Sequence, residues 1–263
     1  MKKVVLFVFF ALVHIVYGQK SSDFSGKTIS FNSDDGVKVT ADLYMKNNSN
    51  APFIILYHQA RYSRGEYREI VPKLIEMGFN CLAVDQRSGK KVNGVVNQTH
   101  LEAKKMNKAT EYINAIPDME AAFTYVKNQI KPSKIIIWGS SYSSALVFYL
   151  GSVHSEDIDG ILSFSPGEYF KIDGKEIRSF AAEVKCPVFI TSSAKEHKQW
   201  KEIYDSVTTK KYSFLPMMEE GKHGSKALWV DNSNYKEYWN EVRNFLLKVQ
   251  MIKLEVEMSN DQK

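Results

Sequence analysis

Ser141 stands in the segment Ile135-Ile136-Ile137-Trp138-Gly139-Ser140-Ser141-Tyr142-Ser143-Ser144-Ala145. An apolar, strand-like run meets small residues and then a helix-like stretch. A Gly-x-Ser-x-Gly turn between a strand and a helix holds its serine in a strained backbone with the hydroxyl presented, and the small flanking residues let the two elements approach. Ser143 occupies the place of the last glycine here. A serine that merely caps a helix would use similar residues. The position after an apolar strand in a chain of alternating strands and helices favours the strained turn, with Ser141 as nucleophile.

A serine hydroxyl is a poor nucleophile until a base takes its proton. The order expected for this constellation is Ser, acid, His. Of the six histidines, His14 lies in the N-terminal apolar run, and His58, His100 and His154 precede the expected position. His197 and His223 follow the later strands. His223 sits in Gly221-Lys222-His223-Gly224, where flanking glycines let a loop carry the imidazole over the serine, so it is the expected base. His197 directly follows the leading candidate acid and is expected to point elsewhere. That acid is Glu196, placed after the apolar strand 188–191 to hold the imidazole in the right tautomer. Glu168, after Pro166-Gly167, is the alternative, and Asp173 and Asp205 are weaker ones. Charge developing on a carbonyl oxygen needs backbone donors. The expected pair is the amide of Tyr142 and that of Ala60, in the loop His58-Gln59-Ala60. Arg61 and Tyr62 beside that loop are candidate substrate contacts, as are Tyr169 and Trp229.

The elements that must position these groups follow from periodicity. Residues 27–33 and 37–45 alternate apolar and polar around Asp34-Asp35-Gly36, which predicts a hairpin. Continuous apolar runs at 53–57, 81–84, 135–138, 158–164, 188–191 and 212–217 suit strands buried on both faces of a parallel sheet. Helical spacing appears in Ile70, Val71, Leu74, Ile75 and Met77, stopped by Gly78, and again after Pro117, over 144–150, and in a closing helix over 235–249. A hairpin followed by repeated βα units predicts an α/β fold: a mostly parallel central sheet with an N-terminal antiparallel hairpin and helices on both faces. The long polar stretch 90–115 could fold over the pocket and narrow it.

Lys2 and Lys3, the apolar run from Val4 to Val16 and the site Val16-Tyr17-Gly18 have the pattern of a signal peptide over residues 1–18. The run is shorter than the ~20 residues a bilayer span requires, so no stable membrane anchor is expected. The mature domain is expected over 19–253, with 254–263 a frayed tail, and the protein is expected to be exported, to a periplasm or outside the cell. The formal charge of +5 falls to +3 without Lys2 and Lys3, since residues 1–18 hold no acids. The excess is spread along the chain, which argues against nucleic acid as a partner. Cys81 and Cys186 lie in separate strand-like contexts and are expected as buried free thiols. Neither fits a metal motif, and no His-Glu-x-x-His occurs. No metal and no organic cofactor are expected.

Four segments carry a resemblance: His58-Gln59-Ala60, Asp85-Gln86-Arg87-Ser88-Gly89, Gly139-Ser140-Ser141-Tyr142-Ser143 and Gly221-Lys222-His223-Gly224. Over nearly all of residues 27–249 the chain resembles the α/β-hydrolase superfamily, and within it the compact serine esterases of the dienelactone-hydrolase-like branch. The resemblance implies that the first segment is the oxyanion loop, with Gln59 where glycine is common. It implies that Asp85 and Arg87 belong to a structural turn. The namesake branch often uses a cysteine nucleophile, where this chain has Ser141. The expected activity is hydrolysis of small or soluble carboxylic esters through an acyl-enzyme, with a small-molecule ester as partner and a minimal lid. A peptidase or acyltransferase would use the same groups, and a non-catalytic binding protein could keep the fold. Oligomeric state is not legible.

Overall fold

In the computed structural model the described residues are 25–217 and 220–260, with side chains to Met251. The signal peptide expected over residues 1–18 lies outside them, as do residues 261–263 of the tail.

The first alternating segments form β1 (Lys27–Asn32) and β2 (Lys38–Tyr44), an antiparallel hairpin. The apolar runs become β3 (Phe53–Tyr57) and β4 (Asn80–Val84), separated by α1 (Val71–Glu76), and every residue of both strands is buried. The polar stretch holds a small hairpin of β5 (Lys91–Val92) and β6 (Val95–Val96), then α2 (Gln98–Lys105). After α3 (Ile116–Tyr125) come β7 (Ile135–Ser140), α4 (Tyr142–Val153), β8 (Gly160–Phe164) and α5 (Ile177–Glu183). The chain closes with β9 (Val188–Thr191), α6 (His197–Ser206), β10 (Lys211–Phe214) and α7 (Tyr235–Asn260).

The large sheet has the order β1-β2-β4-β3-β7-β8-β9-β10. β2 is antiparallel to both β1 and β4, and pairing is parallel from β4 onward. Side chains alternate across a strand, and both faces are covered. Phe53, Ile55 and Tyr57 enter a core with Phe123, Phe148, Phe180 and Trp200. Ile54 and Leu56 enter the other, with Leu74, Tyr238, Val242 and Phe245. Two apolar faces account for the unbroken apolar runs, since each buried side chain of this size contributes about 1.5–3 kcal/mol relative to exposure. Cys81 belongs to the second core and Cys186 to the first, and both are buried free thiols.

Three segments differ from the sequence reading. α2 buries only Thr99 and Ala103 and carries no apolar stripe to read, whereas α6 does carry one that the sequence reading leaves unused: Trp200, Ile203 and Tyr204 at helical spacing, continued by Val207. α7 runs on to Asn260, because the Gln, Met, Lys, Leu and Glu residues beyond 249 favour helix even where apolar periodicity is lost. Among the described residues no helix is long and apolar enough to cross a membrane.

Candidate active site

β7 delivers Ser141 to the carboxyl edge of the sheet, one residue beyond the strand and one before α4. The turn is as tight as its small residues suggest. A Cβ on Gly139 would stand 2.4 Å from the Ser143 carbonyl oxygen and 2.5 Å from the Cα of Ser144, so only glycine fits. Ser141 itself has φ +58° and ψ −120°, a backbone state that costs an L-residue free energy and persists only where its surroundings enforce it. Ser143 does more than fit where glycine is common. Its hydroxyl accepts from the Ser140 amide at 2.8 Å and donates to the Tyr57 carbonyl at 2.8 Å, strapping the turn to the end of β3. Tyr142 opens α4, so its amide is one of the first-turn donors without an intrahelical acceptor.

The loop after β3 is fixed by a buried imidazole. His58 Nδ1–H donates to the Gln59 carbonyl at 2.8 Å, while Nε2 accepts from the Gln86 amide and the Asn97 side-chain amide, each at 3.0 Å. That pattern needs a neutral ring, and burial lowers the His58 pKa to about 4. The Gln59 amide donates to Glu66 Oε2 at 2.7 Å and the Tyr62 amide to the Gln59 carbonyl at 3.2 Å. Among the described residues the Ala60 amide, between them, has no acceptor.

His223 lies in a loop whose glycines at 221 and 224 take φ +71° and +70°. A Cβ on Gly224 would also stand 2.6 Å from both Gln59 Oε1 and Ser140 Oγ, so the loop closes tightly onto the other two segments. His223 Nε2 is 2.8 Å from Ser141 Oγ, and Nδ1 is hydrogen-bonded to Glu196 Oε1. The other oxygen of Glu196 accepts from the Ser165 hydroxyl at 2.7 Å and the Ser193 amide at 3.2 Å. Burial alone would raise the Glu196 carboxyl. The His223 hydrogen bond and charge, then Ser165 and Ser193, outweigh it and hold the pKa below the usual carboxylate range. An ionised Glu196 fixes the tautomer that leaves Nε2 free to accept the Ser141 proton. The arrangement suits attack by a serine hydroxyl on an electrophilic carbonyl.

No protein-family model and no curated protein sequence matches the chain. Solved structures do. Esterase Pf2001 of Pyrococcus furiosus is similar at a TM-score of 0.66 and 19% identity, over 86% of this chain and 93% of that one. Dienelactone hydrolase from Anabaena variabilis is similar at a TM-score of 0.67 and 12% identity, over 85% of this chain and 97% of that one. Est1E from Butyrivibrio proteoclasticus is similar at a TM-score of 0.62 and 18% identity, over 86% of this chain and 99% of that one. This is the α/β-hydrolase fold.

Within the α/β-hydrolase fold the remaining sequence candidates have identifiable places. Glu168 accepts from the amides of Ile177 at 2.6 Å and Arg178 at 2.9 Å, so it caps α5 rather than meeting His223. Asp173 lies in a turn with φ +49°, and Asp205 pairs with Lys201 on the surface. His197 packs edge-on to Trp200. Asp85 accepts from the Arg64 amide at 2.7 Å and the Gln98 amide at 2.8 Å, and Arg87 binds Asp118 and Asp35, so both serve the turn after β4.

Arg61, at φ +65°, lines a cavity of about 190 Å³ beside Ala60, with Lys90, His100 and Tyr112 among its walls. Tyr62 stacks on Trp229 at 6.2 Å between centroids, and Trp229 donates from Nε1 to the Glu66 carbonyl at 2.9 Å. That pair braces the loops and does not line the cavity. The Tyr169 hydroxyl donates to the Ser165 carbonyl at 2.7 Å. Burial first, then the Glu196 charge, push its pKa up to about 12, with the neighbouring Ser141 hydroxyl acting the other way. The stretch 90–115 does reach the site: Tyr112 stacks on Tyr142 at 4.8 Å between centroids. Sequence reasoning missed Glu66 and the side-chain bonds of Ser140 and Ser143. The spacing Ser63-x-x-Glu66 gave no sign that the carboxylate points into the molecule.

Proposed function

We propose that this chain is an exported serine hydrolase that cleaves carboxylic esters of small or soluble substrates. The reading is carried by the continuous line of hydrogen bonds from Ser141 Oγ through His223 to Glu196. Ser141 Oγ attacks the ester carbonyl while His223 Nε2 takes the hydroxyl proton. The carbonyl oxygen becomes an anion, and the amides of Ala60 and Tyr142 donate to it. Collapse of the tetrahedral intermediate breaks the carbon–oxygen bond, and His223 returns the proton to the leaving alcohol. Water then attacks the acyl-Ser141 carbonyl, losing a proton to His223. A second collapse frees the acid and restores the Ser141 hydroxyl. Throughout, Glu196 holds Nδ1–H and offsets the imidazolium charge.

One feature supports small or soluble substrates. The connection from β8 to α5 is short and carries Lys171, Asp173, Lys175 and Glu176, whereas a lid that opens onto lipid needs an apolar face. The test combines a serine-directed fluorophosphonate probe with a series of p-nitrophenyl esters of graded chain length. The probe is expected to label Ser141, and turnover to peak at short acyl chains with no jump at the solubility limit. An unlabelled Ser141 with no turnover would leave a binding protein, and a long-chain optimum with interfacial activation would overturn the substrate class.

Export is proposed on Lys2, Lys3 and the apolar run that follows. Mass spectrometry of the protein from a secreting host is expected to find a start near Gln19. An exported chain that keeps Met1 would refute it.

A further inference from the structure

We infer that Glu66 is a positioning residue that, as an ionised carboxylate, locks the oxyanion loop, the Ser141 turn and the His223 loop into one register. The inference rests on the hydrolase reading for its consequence and on geometry for its substance. Glu66 is fully buried. Its Oε2 accepts from the Gln59 amide at 2.7 Å, one residue before Ala60. Its Oε1 accepts from the Ser140 hydroxyl at 2.8 Å, one residue before Ser141. The Ser140 oxygen in turn accepts from the Ser225 amide at 2.9 Å, two residues after His223. One carboxylate therefore bonds, directly or through Ser140, to each of the three segments that carry the groups meeting the substrate. The Ser225 hydroxyl continues the line by accepting from Trp138 Nε1 at 2.9 Å, anchoring it to β7.

The ionised form matters because every group presented to this carboxylate is a donor. A proton on Oε2 would face the Gln59 N–H, and a proton on Oε1 would face the Ser140 O–H. Either way one donor loses its acceptor or the Ser140 hydroxyl turns away, and an orphaned buried donor is costly. The ionisable groups around Glu66 are His223 and Lys226, and the phenols of Tyr62, Tyr67 and Tyr142. Burial dominates and raises the carboxyl to about 7, against the pull of the Gln59 and Ser140 hydrogen bonds and the His223 and Lys226 charges. The lock is therefore set above neutrality and released on acidification, inside the range where activity is assayed. Glu66 does not replace Glu196, which holds Nδ1 of the His223 ring.

The experiment follows kcat and KM for a short-chain p-nitrophenyl ester from about pH 5.5 to 8.5, in the wild type and in Glu66→Gln. The Gln59 amide resonance is followed over the same range. In the wild type two groups must be deprotonated, Glu66 and His223, so log kcat is expected to fall on the acid side with a slope above about one. Glu66→Gln is expected to lose about 10- to 100-fold in kcat with KM little changed, and its acid limb is expected to become a one-proton limb. The Gln59 amide is expected to titrate near neutrality in the wild type and to be flat in the variant. Should Glu66→Gln fail to fold, Ser140→Ala answers the same question: the carboxylate loses a donor, so the acid limb is expected to move to higher pH. A flat Gln59 amide in the wild type, or a Glu66→Gln or Ser140→Ala enzyme with the wild-type acid limb, overturns the inference and leaves the hydrolase reading intact. A wild type that turns over no ester while its Gln59 amide titrates removes the hydrolase reading and upholds the lock.

Discussion

Ser141→Ala is expected to lower kcat by on the order of 10⁴-fold or more while leaving the protein folded. The residual rate over water would come from the Ala60 and Tyr142 amides, which the substitution does not touch. The backbone at φ +58° is enforced by neighbours that the change also spares: the Ser141 amide donates to the Phe164 carbonyl at 2.8 Å, and Gly139 keeps β7 and α4 in contact. Ser140→Ala and Ser143→Ala provide the comparison. Both remove hydroxyls that hold the turn, so both should slow turnover, but far less than loss of the nucleophile itself. Active-site-normalised kinetics on all three variants decide the register of the turn. If Ser143→Ala were the inactive one, the nucleophile would be misassigned.

The second large effect belongs to the acid. Glu196→Gln is expected to cost about 10³- to 10⁴-fold in kcat, because a neutral amide neither fixes the His223 tautomer nor stabilises its imidazolium. Glu168→Gln is the control. Its carboxylate accepts from the Ile177 and Arg178 amides at the start of α5, so its loss should show as a lower melting temperature with turnover within a few-fold of wild type. Measuring kcat and melting temperature on both variants separates the two roles. The opposite ranking would move the acid to the connection that follows β8.

What the amino-acid order reveals depends on how many faces an element buries. β3 and β9 begin and end where their apolar runs do, because every side chain in them is covered. α2 buries two residues on no continuous stripe, and α6 presents Trp200, Ile203 and Tyr204 at helical spacing over fewer than two turns, so apolar periodicity marks both less strongly than it marks the strands. Strand order was illegible for another reason: β4 lies between β2 and β3, and that placement depends on how loops cross the sheet rather than on any residue in the strands. The site divides in the same way. Ser141, His223 and Glu196 are legible because their chemistry demands a residue type at a set place in the chain order. Glu66 is not, because a carboxylate in a polar stretch reads as solvated until the fold turns it inward. The place of Ser143 is legible but its role is not, since its hydroxyl spans 86 residues of sequence to reach Tyr57.

The two thiols lie on opposite sides of an eight-stranded sheet, Cys81 in β4 on one face and Cys186 ahead of β9 on the other. No rotation of either side chain brings the sulfurs together, since the sheet itself stands between them. The native state thus owes nothing to a covalent crosslink, and folding is independent of the redox poise of the compartment where it occurs. An oxidising environment offers this chain no correct pairing to reach, only wrong ones between molecules. Burial keeps both sulfurs from that fate once the core has closed, and it raises the Cys186 thiol to about 12, where almost none of it is the reactive thiolate.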